Sequence, residues 1–293
     1  MSWRLLALRG LGAYLRRVPE HRGRWRLIAS AVALAPELRT LKTPRVIRSR
    51  DGLLLEVDGS SQTGRILFAT GEYEPDTTRV IRGLLSPGQV MIDVGANIGY
   101  FSMVGARAVG AQGRVVAFEP AAGVRDALQK NLRLNAIGNV EVRDEALAAR
   151  SGTIEFFTGP EHDTGLASLR ELPGSARTLV NQVRFDEIWQ SGKPVTLIKI
   201  DVEGAETAVL EGMERCLARD SPHLIVEVTD EYLRGMGSSA ASLVTLLQRH
   251  GYSMFRIDAD RLRPVASVKR LIDCPSQFNA LFTKAADVSR LIG

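Results

Sequence analysis

The chain has 293 residues, 45% hydrophobic and 24% charged, with a net charge of +5. That is enough for one large domain with a substantial core and an appendage, and it excludes a low-complexity chain. No apolar run approaches the roughly 20 residues that span a bilayer, and two cysteines, Cys216 and Cys274, make no disulfide framework.

The positive charge belongs to one end. Residues 1–50 carry twelve Arg or Lys against two Glu, a balance of +10, while the remaining residues hold 26 basic and 31 acidic side chains. Leu5, Leu8, Leu11, Leu15 and Val18 recur at helical spacing, with Arg4, Arg9, Arg16 and Arg17 mostly elsewhere around the wheel. Residues 1–45 are therefore expected to form a basic helical arm. Its functional reading is contact with a membrane surface or an acidic partner; its simpler reading is a cap packed on the main domain. Leu27–Ala35 resembles a secretory signal, but Pro36 stands where the cut would fall, so a cytoplasmic protein is expected. The acidic body, without interleaved aromatic and basic residues, argues against nucleic acid as a partner.

Residues 46–88 read as short strands over Val46–Ile66, then a helix from Pro75 to Leu85 closed by Ser86-Pro87-Gly88. A core over residues 89–293 follows. Strands are expected at Val90–Val94, Val115–Glu119, Val140–Arg143, Val195–Asp201, His223–Val228, Tyr252–Ile257 and Phe278–Thr283. Helices are expected at Tyr100–Val109, Gly123–Asn135, Glu206–Ala218 and Ala240–His250. The alternation implies an α/β fold with a mostly parallel sheet covered on both faces. It lapses between Ile154 and Pro194, where Gly159, Pro160, Gly165, Pro173 and Gly174 mark a long loop, read as a lid beside a ligand cleft. His162 and Ser168 in that loop are candidate substrate contacts.

Ligands of such sheets bind beyond the carboxyl ends of the strands. The first strand ends in DVGANIG, Asp93 to Gly99. Gly95 and Gly99 would let the backbone turn tightly and approach a ligand, and Asn97 tolerates left-handed backbone. The dinucleotide fingerprint is G-x-G-x-x-G. Here the spacing is G-x-x-x-G behind an acid, which would repel a pyrophosphate but suit a cation. S-adenosylmethionine carries an ammonium and a sulfonium and no phosphate. Glu119, 20 residues after Gly99, stands where a carboxylate can accept both ribose hydroxyls, and Asp144 could accept from an adenine amino group. NAD would use Glu119 equally well, so a nicotinamide oxidoreductase remains an alternative, as does a non-catalytic scaffold.

The fourth main strand ends Lys199-Ile200-Asp201-Val202-Glu203. Strand alternation puts Lys199 and Asp201 on one side. A lysine among apolar residues needs a partner; Asp201, Glu203 or Glu227 could provide it. Asp201 and Glu203 lie where reacting groups belong and are the candidate bases. With Glu227 they could instead bind a divalent cation such as Mg²⁺. Metal-free catalysis is the preferred reading, and no Cys/His cluster suggests zinc.

These residues resemble the FkbM-type, S-adenosylmethionine-dependent methyltransferases. The resemblance runs from about Gly71 to Val228, through GEYEP at Gly71–Pro75, SPGQVMIDVGANIGYFS at Ser86–Ser102, AFEP at Ala117–Pro120 and NLRLN at Asn131–Asn135. It continues through IKIDVEGAETAVLEG at Ile198–Gly212 and LIVEV at Leu224–Val228. The resemblance implies a class I methyltransferase (Rossmann-like) sheet of seven strands and methyl transfer to a hydroxyl of a sugar or natural product. It would assign the methionine portion of the cofactor to Asp93, Gly95, Ala96, Asn97 and Gly99, the ribose to Glu119 and the adenine to Asp144. Lys199, Asp201 and Glu203 would form the catalytic group, with Glu227 facing the small-molecule acceptor. Asp186, in a slight departure from the family pattern, has no assigned role.

Overall fold

Val90–Val94, Leu197–Ile200 and His223–Val228 are short, rich in β-branched residues and buried almost throughout. Strands of that kind belong at the centre of a sheet covered on both faces. The computed structural model describes residues 43–159, 167–168, 174–190, 192–258, 261–265 and 277–285. Most of the basic arm, residues 1–42, and His162 lie outside the described residues.

In chain order the strands are β1 (Arg45–Arg48), β2 (Leu54–Val57), β3 (Val90–Val94), β4 (Arg114–Phe118), β5 (Val140–Arg143), β6 (Ala146–Leu147), β7 (Gly152–Thr158), β8 (Ala167–Ser168), β9 (Ala176–Val183), β10 (Leu197–Ile200), β11 (His223–Val228), β12 (Ser253–Ile257), β13 (Leu262–Pro264) and β14 (Phe278–Thr283). The helices are α1 (Gln62–Thr70), α2 (Pro75–Leu84), α3 (Tyr100–Val109), α4 (Ala122–Leu134), α5 (Phe185–Ile188), α6 (Glu206–Glu211), α7 (Glu214–Arg219), α8 (Asp230–Gly235) and α9 (Ala240–Arg249).

The main sheet has the order β13-β12-β14-β11-β10-β3-β4-β5. β11, β10, β3, β4 and β5 run parallel, and β14 is antiparallel to both of its neighbours. This is the class I methyltransferase sheet with one strand more than expected: eight, not seven, because Leu262–Pro264 pairs with the edge of β12. Hydrophobic clusters cover both faces. Ile92, Ile198 and Val226 face one; Met91, Leu197 and Ile225 face the other. Among the described residues no helix is long and apolar enough to cross a membrane.

Three expectations need correction. Strands were expected to continue to Ile66, but Gln62–Thr70 is a helix. Ser61 caps it by accepting from the Gly64 amide at 2.9 Å, and left-handed Gly71 ends it. The single helix expected over Glu206–Ala218 is two. The break falls at Gly212 and Met213, and a Cβ on Gly212 would stand 2.1 Å from the Ala148 carbonyl oxygen, so the chain packs closely there. Asp186 then caps the second helix by accepting from the Arg215 and Cys216 amides, which gives Asp186 a structural role. The lapse between Ile154 and Pro194 is not a plain loop. β7 and β9 pair antiparallel along their whole length in a small sheet of order β6-β9-β7-β8. Its inner face packs Phe156 and Val180 on Ala121.

The NLRLN stretch ties the leading segment to the core. Asn131 accepts from the Glu56 amide at 2.7 Å and donates to the Ile98 carbonyl at 3.0 Å. Asn135 exchanges bonds with both backbone groups of Leu54. The segment before β3 thereby reaches the rim of the sheet.

Candidate active site

At the end of β3 the chain turns through left-handed backbone at Gly95, Asn97 and Gly99, with φ of 76°, 51° and 86°. The Gly95 and Ala96 amides both donate to the Phe118 carbonyl at 3.0 Å, which pins the loop to β4. The glycines do not simply open space for a ligand. A Cβ on Gly95 would lie 1.9 Å from the Asp201 carbonyl oxygen, and one on Gly99 would lie 2.8 Å from Leu128. The loop is drawn against the chain's own β10 end and α4.

Glu119 stands at the end of β4, almost fully buried. Its two oxygens accept from the Asn97 amide at 2.9 Å and the Ala121 amide at 3.0 Å. Burial pushes its pKa to about 7 against the pull of those amides. Each carboxylate oxygen has a second lone pair, so ribose hydroxyls fit beside the amides already bound. Gly95, Glu119 and Asp201 line one narrow cleft with Phe118, Phe156 and Glu145. Its volume is about 50 Å³, smaller than an adenosyl group, and Phe156 of the small sheet forms part of its wall. Asn97 lines a larger cavity of about 680 Å³ on the other side of the loop, with Lys130 and Arg133. Asp144 is exposed, and at its expected place the cleft is lined by Glu145, Ala146 and Leu147.

Asp93 is not at the cleft. It is fully buried, accepts from the Ser102 hydroxyl at 2.5 Å, and has its other oxygen unpartnered. Its register partner on β10 is Lys199, which explains how the sheet centre tolerates an acid. Burial raises the Asp93 pKa; the Lys199 charge opposes that.

Lys199 is 2% exposed and its Nζ donates to Asp201 at 2.9 Å. The ammonium also sits 4.7 Å from the centre of the Phe101 ring. Burial works against its charge, but Asp201, Asp93 and Glu74 together hold its pKa above the usual lysine value. Of the three partners the sequence offers, the structure selects Asp201. Glu227 instead accepts from the Gln277 amide. Carboxylate oxygens of Asp201, Glu203 and Glu227 lie within 4.8 Å of one another, a set that could hold a divalent cation. Burial, then the charges of Asp201 and Glu203, push the Glu227 pKa well up. Glu206 is buried and accepts from the Val202 and Gly204 amides, which shapes the loop after β10. Ser168 falls in β8, paired with Phe157.

Sequence reasoning missed Glu74. α1 ends at Thr70 with Gly71 as its cap, and four residues after Gly71 Pro75 opens α2. Glu74 between them has φ 39°, an uncommon conformation for a residue before proline. Its Oε2 accepts from the Asn279 amide at 2.7 Å, and that amide also reaches Thr77. Protein atoms surround the carboxyl group, though it keeps contact with a cavity of about 250 Å³. Tyr73, Glu227, Arg256, Gln277 and Asn279 share that cavity. Burial lifts the Glu74 pKa to about 7, against the Lys199 charge. The available clues were the two acids flanking Tyr73 before a proline, and one asparagine in the apolar strand FNALFT.

With this rim in view, residues 93–254 match the family model of the methyltransferase FkbM domain. The chain belongs to the FkbM methyltransferase family. It is 31% identical to the 31-O-demethyl-FK506 methyltransferase FkbM of Streptomyces tacrolimicus over 223 residues, 65% of this chain and 83% of that one. It is 30% identical to the hexuronic acid methyltransferase AglP of Haloferax volcanii over 158 residues, covering 53% and 62%. It is 31% identical to the AMB antimetabolite synthetase AmbE of Pseudomonas aeruginosa over 210 residues, 58% of this chain but only 10% of that much longer protein.

Proposed function

We propose that this FkbM-family chain is an S-adenosylmethionine-dependent O-methyltransferase acting on a hydroxyl of a sugar or natural-product small molecule. The observation that carries the reading is the pairing of two sites across Asp201. On one side is the cleft of Gly95 and Glu119; on the other is the carboxylate-lined cavity reached through Glu227. The names of FkbM and AglP, a 31-O-demethyl-FK506 and a hexuronic acid methyltransferase, support a small-molecule acceptor.

When bound, S-adenosylmethionine supplies an already activated methyl group. What remains for the chain is to bind, orient and exclude water. Glu119 would hold the ribose through its unused lone pairs, and the loop at Gly95–Gly99 would hold the methionine portion. Asp93 acts at a distance, by fixing Lys199. Lys199 in turn orients Asp201 at the junction, and the acidic rim would favour the cofactor's cationic sulfur. The adenine would lie against the wall at Glu145–Leu147, in preference to Asp144, which is exposed.

Metal-free catalysis is the reading adopted, because Lys199 already engages Asp201 and Gln277 already engages Glu227. The spacing of Asp201, Glu203 and Glu227 favours a second reading with one hard cation. Calorimetric titration with S-adenosylhomocysteine, with NADH as control and with and without EDTA, tests both points. Micromolar binding of the homocysteine product alone, insensitive to EDTA, is expected. Binding of NADH instead would overturn the methyltransferase reading, and loss of binding in EDTA would favour the cation.

A further inference from the structure

Two cavities come close at the acidic end of β10 and β11, separated by Asp201 and Glu227. Asp201 lines the cofactor cleft; Glu227, within 4.8 Å of it, lines the second cavity. A methyl group passing from cofactor to acceptor must cross at this junction. Four groups there could receive a proton. Asp201 is ion-paired with Lys199 at 2.9 Å, and Glu227, which accepts from Gln277, lies against the like charges of Asp201 and Glu203. Glu203 belongs to the left-handed turn after β10. Glu74 is the fourth. It comes from outside the sheet, and its backbone is held in the left-handed region directly before Pro75. Strain of that kind persists only where the surroundings over-determine it, and it collects at functional sites.

We propose that Glu74 takes the proton of the acceptor hydroxyl, and that the cavity of about 250 Å³ beside it is where the acceptor sits. The proposal rests on the methyl-transfer reading above and adds to it a residue and a place. As the acceptor oxygen forms its bond to the methyl carbon, the carbon–sulfur bond breaks and leaves its electron pair on sulfur. The hydroxyl proton passes to the Glu74 carboxylate and then to solvent through the cavity. The Asn279 amide at 2.7 Å and the Thr77 hydroxyl hold the carboxylate, and its oxygens keep further lone pairs with which to meet the hydroxyl. The charged and titratable groups facing Glu74 are Lys199 and Asp201 from the end of β10, Glu227 from β11, Arg256 from β12, and Tyr73 and Asp76 from its own segment. With its pKa lifted to about 7, Glu74 is a base matched to neutral pH.

The test needs no acceptor. S-adenosylmethionine carries a positive sulfur and S-adenosylhomocysteine does not, so only the former should drive a nearby half-protonated acid to ionise. Proton release on binding each is measured by calorimetry at pH 7 in two buffers of different ionisation enthalpy. Wild type is expected to release about 0.3–0.5 more protons with S-adenosylmethionine. Glu74→Gln is expected to bind both ligands and lose the difference. Equal counts in wild type, or a difference that survives Glu74→Gln, would overturn the proposal while leaving the methyl-transfer reading standing. Binding of neither ligand would overturn both. Should Glu74→Gln not fold, Asn279→Ala serves: it removes a bond that lowers the Glu74 pKa, so the difference should peak at higher pH. An unmoved peak would count against Glu74.

Discussion

The two halves of the rim are built by different means. On the side proposed for the cofactor, between β3 and β4, the polar framework is mostly backbone. Glu119 is held by two amides, and the glycine loop hangs from the Phe118 carbonyl. On the side proposed for the acceptor the framework is side chains from distant places: Glu74 before α2, Lys199 on β10 with Asp201 just after it, Asn279 on β14. A backbone-built site depends on local conformation and reads out in adjacent residues. A side-chain site depends on which segments meet, and it concentrates buried charge.

If that contrast holds, the largest effect belongs to the acceptor side's central cation. Lys199→Met leaves Asp93, Asp201 and Glu74 without their shared ammonium. Unfolding in urea at pH 8 should show a loss of about 3–5 kcal/mol. The loss should shrink toward pH 6, as the orphaned acids take up protons. A pH-independent loss under 1 kcal/mol would mean that the acids are not coupled to Lys199.

Backbone strain should dominate on the other side. Gly95→Ala places a methyl group 1.9 Å from the Asp201 carbonyl at φ 76°. It is expected to cost about 2–3 kcal/mol, read as a lowered denaturant midpoint. Gly123, where an added Cβ meets nothing within 4 Å, is the control: Gly123→Ala should be neutral or stabilising by about 0.5 kcal/mol.

Glu206 sharpens the comparison through pH. Burial raises its folded pKa from 4.5 to about 7. Its contribution to stability is therefore full below pH 4.5 and is lost as pH rises through 7. Glu206→Gln keeps an oxygen for the Val202 and Gly204 amides and removes the titration. Its stability should fall by about 1–3 kcal/mol less than wild type between pH 4.5 and 8. Parallel curves would show that Glu206 does not titrate in that window. Glu119→Ala should weaken S-adenosylhomocysteine binding by about 1–3 kcal/mol. Unchanged calorimetric affinity would remove Glu119 from the ribose role.

The same contrast explains what the sequence revealed. DVGANIG, AFEP and IKIDVEGAE are contiguous, and their strands and left-handed glycines fall close to where periodicity and glycine spacing put them, though Asp93 turns into the sheet centre instead of the cleft. The ladder pairing of Lys199 with Asp93 was not legible, because register is set by two strands about a hundred residues apart. Nor was Glu74, whose partner Asn279 is 205 positions away. The strands β7 and β9 were hidden by the glycines and prolines between them, and they read as one loop until their pairing is seen.

The most direct measurement is a crystal structure of the protein with S-adenosylhomocysteine bound. The sulfur is expected beside Asp201, facing the cavity of Glu74 and Glu227, with the ribose on Glu119 and the small sheet carrying Phe156 displaced outward. The product found instead in the large cavity lined by Lys130 and Arg133, with Asp201 and Glu119 untouched, would contradict the account.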